Sequence, residues 1–209
     1  MSMKETEFKE LLAPGYETRG VEFKPPGQRT SKLLFAKVTR AALGMANRQD
    51  GGRIIIGIQS VNNAPKPVGL NENDLVTWSY DDVATGFAEY ADPSITFDLQ
   101  EVSCENARYV VLRIHEFEDI PVLCKKDYNA TTEMVLRKGA CYVRSRHKPE
   151  TSEIPTQEDM RDLLDLATDK SVRKFVSRAI RTGLLHLGPG TPSSQSDEDL
   201  YNEELGNFA

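Results

Sequence analysis

The chain has 209 residues, 39% hydrophobic and 28% charged, an ordinary globular composition. That length suits one domain, or one domain with an appendage, and needs no disulfide or metal staple. Collagen, coiled-coil and wholly disordered classes are excluded. No stretch approaches the roughly 18 apolar residues that span a bilayer. The charged start from Met1 to Leu11 has no apolar h-region, so neither a secretory signal nor a membrane partner is expected.

Cys104, Cys124 and Cys141 are an odd set with no C-x-x-C spacing. They read as reduced, mostly buried thiols of a cytoplasmic protein. The net charge of -6 is unevenly spread, because Gly188–Ala209 carries -5 and the remainder only -1. Three blocks are free of acids: Phe23–Arg48 at +6, Met134–Lys148 at +5 and Lys170–Thr182 at +5. Local basic blocks govern phosphate binding more than the overall isoelectric point does.

In chain order, residues 1–12 read as a short helix with Phe8, Leu11 and Leu12 on its apolar side, ended by Pro14-Gly15. Gly20–Lys24 reads as a strand, closed by Pro25-Pro26-Gly27. Thr30 or Ser31 then caps a helix to about Asn47. Its apolar face is Leu34, Phe35, Val38, Ala41, Ala42 and Met45, with Lys37 and Arg40 on another side. After Gly51-Gly52, the run Arg53–Ile58 is apolar on both sides, as a central strand covered on both faces would be.

Asn62–Gly69 reads as a polar loop holding Pro65 and Pro67, and Glu72–Tyr90 as a helix in two pieces around Trp78. Ser94–Val102 and Arg108–Ile114 form a hairpin turned at Glu105-Asn106. Pro121–Cys124 and Cys141–Ser145 read as strands joined by a polar loop with Asp127, Tyr128 and Asn129. Thr156 with Asp159 caps a helix through Ala167 whose stripe is Met160, Leu163, Leu164 and Ala167. A last helix starts near Ser171, with Val172, Phe175, Val176, Ala179 and Ile180 on its apolar face and most of the basic residues off it. The expected organisation is a domain over residues 1–168, an amphipathic basic helix over 169–187, and a disordered acidic tail over 188–209.

There is no Gly-Lys pair in the chain, so no P-loop for ATP, and there is no G-x-S-x-G. His115, His147 and His186 lie in unlike contexts and do not suggest a metal site. Two segments carry chemistry. In the first, Glu17 and Glu22 flank a Gly-containing turn into a strand followed by Lys24. Such carboxylates can hold Mg²⁺ or Mn²⁺, and a metal so held can activate water toward a phosphodiester. Equally, they can be structural, paired with Arg19 and Lys24. The second is Ala46–Gly52, a tight reversal that calls for positive φ. It is either a helix stop with strand entry or a set of backbone N–H groups offered to a phosphate.

Together these residues resemble the Schlafen AlbA_2 domain family over about residues 8–167. The matches are Glu17, Glu22-Phe23-Lys24, Gly44-Met45-Ala46-Asn47, Gly51-Gly52, Ile54–Ile58 and Tyr142-Val143-Arg144-Ser145. The resemblance implies an α+β fold with a mixed sheet and packed helices. It also implies either nucleic-acid binding or an endoribonuclease built on three acids. Two of those acids map to Glu17 and Glu22. The third position is Ser60, and Asp50 is the nearby substitute.

The leading expectation is phosphate contact with structured RNA or duplex DNA through Lys24, Lys37, Arg40, Arg137, Lys138, Arg144 and Arg146, with Tyr128 and Tyr142 read as core or surface filler before base-stacking residues. The alternative is a Mg²⁺- or Mn²⁺-dependent endoribonuclease with Glu17 and Glu22 as ligands and Lys24 beside the scissile phosphate. A third reading is a protein-interaction module in which the Lys170–Arg181 helix or the acidic tail docks a partner, or the tail covers the basic face.

Overall fold

In the computed structural model, which describes residues 3–61, 64–145 and 149–185, side-chain alternation along Gly52–Ile56 fixes the layers. Ile54 and Ile56 face one side of the sheet and Ile55 the other, and all three are fully buried. Each contributes about 1.5–3 kcal/mol by leaving water.

The elements run α1 (Glu5–Leu12), β1 (Val21–Lys24), α2 (Lys32–Ala46), β2 (Gly52–Ile56), β3 (Ile58–Val61) and β4 (Ala64–Pro67). They continue through α3 (Glu72–Leu75), α4 (Tyr80–Tyr90), β5 (Ala91–Asp92), β6 (Phe97–Cys104), β7 (Ala107–Ile114) and β8 (Leu123–Cys124). Last come β9 (Tyr128–Asn129), β10 (Met134–Leu136), β11 (Tyr142–Arg144), β12 (Thr151–Glu153) and α5 (Gln157–Arg181). The fold is α+β. Its main sheet has the order β1-β2-β7-β6, with β1 parallel to β2 and the other pairs antiparallel. No helix among the described residues is long and apolar enough to cross a membrane.

One face of the sheet carries the larger core, where Phe35, Val38, Ala42 and Met45 of α2 share a cluster with Ile54, Ile56, Val110 and Leu112. The other face is closed by α1, whose Phe8 lies against Tyr109 with ring centroids 4.8 Å apart. The α2 helix is buried well beyond the face its periodicity marks, including Ala36, Leu43 and Ala46. The added burial comes from β10, β11 and β12, which pack on its outer side. Helical periodicity finds one covered side. A second cover supplied by segments about a hundred residues downstream leaves no local mark.

Asn47 explains how that cover is fastened. Its Nδ2 donates to the carbonyls of Val122 at 2.8 Å and Tyr142 at 2.9 Å, and its Oδ1 accepts from the Val122 N–H at 2.7 Å. Three chain segments therefore meet on one buried side chain. Entry into β2 needs left-handed backbone, with φ of 65° at Asp50 and 62° at Gly51. A Cβ on Gly51 would lie 2.0 Å from the Ile114 carbonyl oxygen.

Several expectations are corrected. The Asn62–Gly69 stretch is not all loop: β4 pairs antiparallel with β3, and Pro65 and Pro67 stand opposite Ser60 and Ile58. The polar segment after Cys124 contains the β9–β10 pair, and β12, antiparallel to β11, was not anticipated. The two helices expected after Thr156 are a single 25-residue helix, α5. Its start is capped as the sequence suggests, with the Asp159 N–H donating to Thr156 Oγ1 at 3.1 Å.

By packing, the chain divides into two units, residues 1–170 and 171–209. Within the second, residues 171–181 continue α5, and Leu184 and Leu185 donate backbone N–H groups to the Ala179 carbonyl. The tail expected to be disordered, together with Arg146, His147 and His186, lies outside the described residues.

Candidate nucleic-acid interface

Period-two alternation along β1 sends Val21 and Phe23 toward the α1 side, leaving Glu22 and Lys24 on the opposite side. There they meet α2, whose Lys37 and Arg40 are three residues apart and so project from neighbouring positions. Glu17, from the turn before β1, closes the same space. The result is a cavity of about 300 Å³ lined by Glu17, Glu22, Lys24, Lys37 and Arg40, with Glu133, Val135, Glu150 and Thr151 on its other wall. Five of the residues singled out in the sequence are thus brought together.

The charges are not equivalent. Glu22 is ion-paired to both Lys24 and Arg144. Glu17 accepts from the Phe23 N–H at 2.8 Å. Burial and the neighbouring Glu22 push its carboxyl above the usual carboxylate range. Lys37 meets Glu133 at 3.0 Å at the half-exposed rim. The Arg40 guanidinium lies 5.4 Å from the centre of the Tyr142 ring, and its buried Nε has no hydrogen-bond partner.

The remaining site residues fall elsewhere. Arg144 is corrected from a phosphate contact to an internal brace, with none of its side chain exposed. It donates to the carbonyls of Arg19 at 3.1 Å and Thr18 at 2.6 Å, and its own carbonyl accepts from Arg19 Nε at 3.0 Å. Arg137 is exposed but held in a two-pronged pair with Glu153. Lys138 is exposed on the β10–β11 turn, where Asp127 accepts from its backbone N–H. Tyr142 is buried, and its hydroxyl accepts from the Arg137 N–H at 2.9 Å, so its ring is core and not a base platform. Tyr128 is half-buried and packs against the main core.

The Ala46–Gly52 reversal is architecture. The Asn47, Arg48 and Gly51 N–H groups bond to Leu43, Met45 and Arg48 carbonyls, and the Asp50 N–H donates to Glu116. Neither Ser60 nor Asp50 lines the cavity, and both are exposed. Among the described residues no group of three His, Cys, Asp or Glu side chains is placed to hold a metal ion. Glu22 is held by two cations, so a metal ion at the Glu17–Glu22 pair would have to compete with Lys24 and Arg144 for that carboxylate. Glu133 and Glu150, the acids on the far wall, were not singled out in the sequence. Their signal was non-local, and only the fold of β10–β12 over α2 brings them in.

The sequence profile of the family described as "Schlafen, AlbA_2" matches residues 4–151. Among solved structures, the chain is similar to the DIP2311 protein of Corynebacterium diphtheriae, at 15% identity and a TM-score of 0.49 over 75% of this chain and 27% of that one. It is also similar to the N-terminal domain of a RecG-related protein from Nitrosomonas europaea, at 19% identity and a TM-score of 0.46 over 65% of this chain and 88% of that one. The chain thus spans about a quarter of the Corynebacterium protein. None of the curated proteins compared matches it.

Proposed function

The chain belongs to the Schlafen AlbA_2 family, and from that premise we propose that its cavity binds the phosphate backbone of structured RNA or duplex DNA. The observation that supports this reading is the convergence of Lys24, Lys37 and Arg40 on one cavity, although the whole chain is acidic. Arg137 and Lys138, exposed on the β10–β11 region, extend the cationic edge. Carboxylates accompany the cations and hold them in place. An incoming phosphate replaces Glu133 as the partner of Lys37 and meets the guanidinium of Arg40, a group suited to two-pronged phosphate contact. Base identity plays no part in these contacts, so binding is insensitive to sequence.

The test is affinity for tRNA and for duplex DNA as salt is raised. Phosphate neutralisation releases counterions, so affinity falls steeply with salt, and Lys37→Ala or Arg40→Ala lowers the slope of log K against log salt by about 1 each. Absence of measurable binding to both at about 50 mM salt overturns the reading.

Cleavage is the second reading, because Glu17, Glu22 and Lys24 share that cavity. The same tubes with added Mn²⁺, run on a denaturing gel, test it. Fragments that vanish in Glu17→Ala/Glu22→Ala while binding persists would make the chain a metal-dependent endoribonuclease.

A further inference from the structure

The exposed side of residues 172–185 is the feature that phosphate binding leaves unused. Val172 is 54% exposed, Phe175 68%, Ile180 40% and Leu184 78%. An aromatic ring and three aliphatic side chains in water are costly, and a stripe of this kind marks a contact surface. At helical spacing Arg173 and Arg178 flank that stripe, while Lys174 and Arg181 fall on the opposite side. An occupant must therefore be both apolar and acidic, which a nucleic acid is not.

The chain carries such a segment. Residues 197–208 hold five acids and no Lys or Arg. At helical spacing Tyr201, Leu205 and Phe208 fall at i, i+4 and i+7 on one side, with Glu203 and Glu204 between them. The intervening stretch from His186 to Ser196 contains Gly188-Pro189-Gly190 and Pro192, residues suited to a chain reversal. A flexible coil of that length, 11 residues, reaches about 18 Å. The stripe from Val172 to Ile180 is about 12 Å long at the helical rise, so the reach is sufficient.

We propose that the acidic apolar segment 197–208 docks on the exposed Val172–Leu184 side of this same chain. Tyr201, Leu205 and Phe208 cover Phe175 and its neighbours, and the acids face Arg173 and Arg178, which flank the stripe. The tail then acts as a built-in occupant that an external partner must displace.

Amide hydrogen exchange on the full-length protein tests this. Tyr201→Ser/Leu205→Ser/Phe208→Ser leaves residues 1–185 untouched. The proposal expects exchange over 172–185 to become about tenfold faster in that variant, as a contact is lost. Equal rates in variant and wild type overturn it. Charge is tested separately: Arg173→Glu/Arg178→Glu should speed exchange of the same peptide, and adding Glu203→Lys/Glu204→Lys should slow it again. A reversal that the second pair fails to correct overturns the charge pairing. Protection that fades on about tenfold dilution would mean that a second copy is the occupant, and would overturn the intramolecular proposal.

Discussion

Arg144 and Glu22, 122 residues apart in the chain, form an ion pair in which Glu22 lines the cavity and the arginine side chain is wholly out of solvent. The pair joins β11 to β1, and the rest of the guanidinium is consumed by carbonyls of the turn that leads into β1. A residue of the Tyr-x-Arg motif thus holds a lining residue of the cavity without itself lining it. Arg144→Met should lower stability by about 3–5 kcal/mol, since it leaves a carboxylate and several carbonyls short of partners in a buried setting. Arg144→Lys should recover only part of this, because an ammonium lacks the planar fork. Urea denaturation followed by circular dichroism measures both.

Asn47 serves a different junction. Asn47→Ala strands the Val122 N–H and two carbonyls, at an expected cost of about 3 kcal/mol or more. Asn47→Asp should be no better tolerated, since a carboxylate would face the two carbonyl oxygens that the amide now satisfies. Thermal denaturation of both variants decides this, and a melting point within error of wild type for either would contradict it.

The turn into β2 tolerates no side chain at Gly51, the first of its two glycines. Gly51→Ala combines a left-handed backbone with a Cβ driven into the Ile114 carbonyl. It should cost at least about 2 kcal/mol. Asp50→Gly, one residue earlier and exposed, should be neutral or mildly stabilising, because its φ of 65° suits glycine.

Glu17 predicts a pH dependence. Its carboxyl is held above the usual range by burial and by Glu22. A carboxyl whose folded value is raised contributes stability that is complete below its unfolded value and is lost as pH climbs through the folded one. Glu17→Gln keeps an acceptor for the Phe23 N–H while removing the charge. It should therefore be more stable than wild type at neutral pH, and the gain should shrink to nothing as the solution is acidified through the carboxylate range. Melting curves from pH 3 to 8 for both proteins test the sign.

Glu133 pairs with Lys37, and under the proposed phosphate binding it would compete with the incoming phosphate for that lysine. Glu133→Gln should tighten nucleic-acid binding by no more than about fivefold, the worth of a half-exposed ion pair. In a Lys37→Ala background the same change should give nothing. Fluorescence anisotropy at fixed salt reads both.

How much of this was visible in the sequence depends on the range of the forces involved. The Glu105-Asn106 hairpin, the central strand at Ile54–Ile56, the broken helix at Trp78 and the Thr156–Asp159 cap all rest on neighbours a few residues apart, and all are present. Glu17, Glu22, Lys24, Lys37 and Arg40 were legible as a group because β1 and α2 are consecutive. Arg144 was misread because charge says nothing of depth, and its side chain is sealed in by segments distant in the chain. β12 was invisible for the same reason: Thr151–Glu153 has no strand signature of its own and exists because β11 offers it a ladder.

The two prolines of β4 have a consequence for how the molecule meets its own kind. Because Pro65 and Pro67 carry no N–H, alternate positions on the outer rim of that hairpin offer carbonyl oxygens without the matching donors. A stray strand from a neighbouring polypeptide would find only half a zipper there. The hairpin can therefore stand out from the main sheet without seeding stacked aggregates, a safeguard written in imino acids and needing no covering helix.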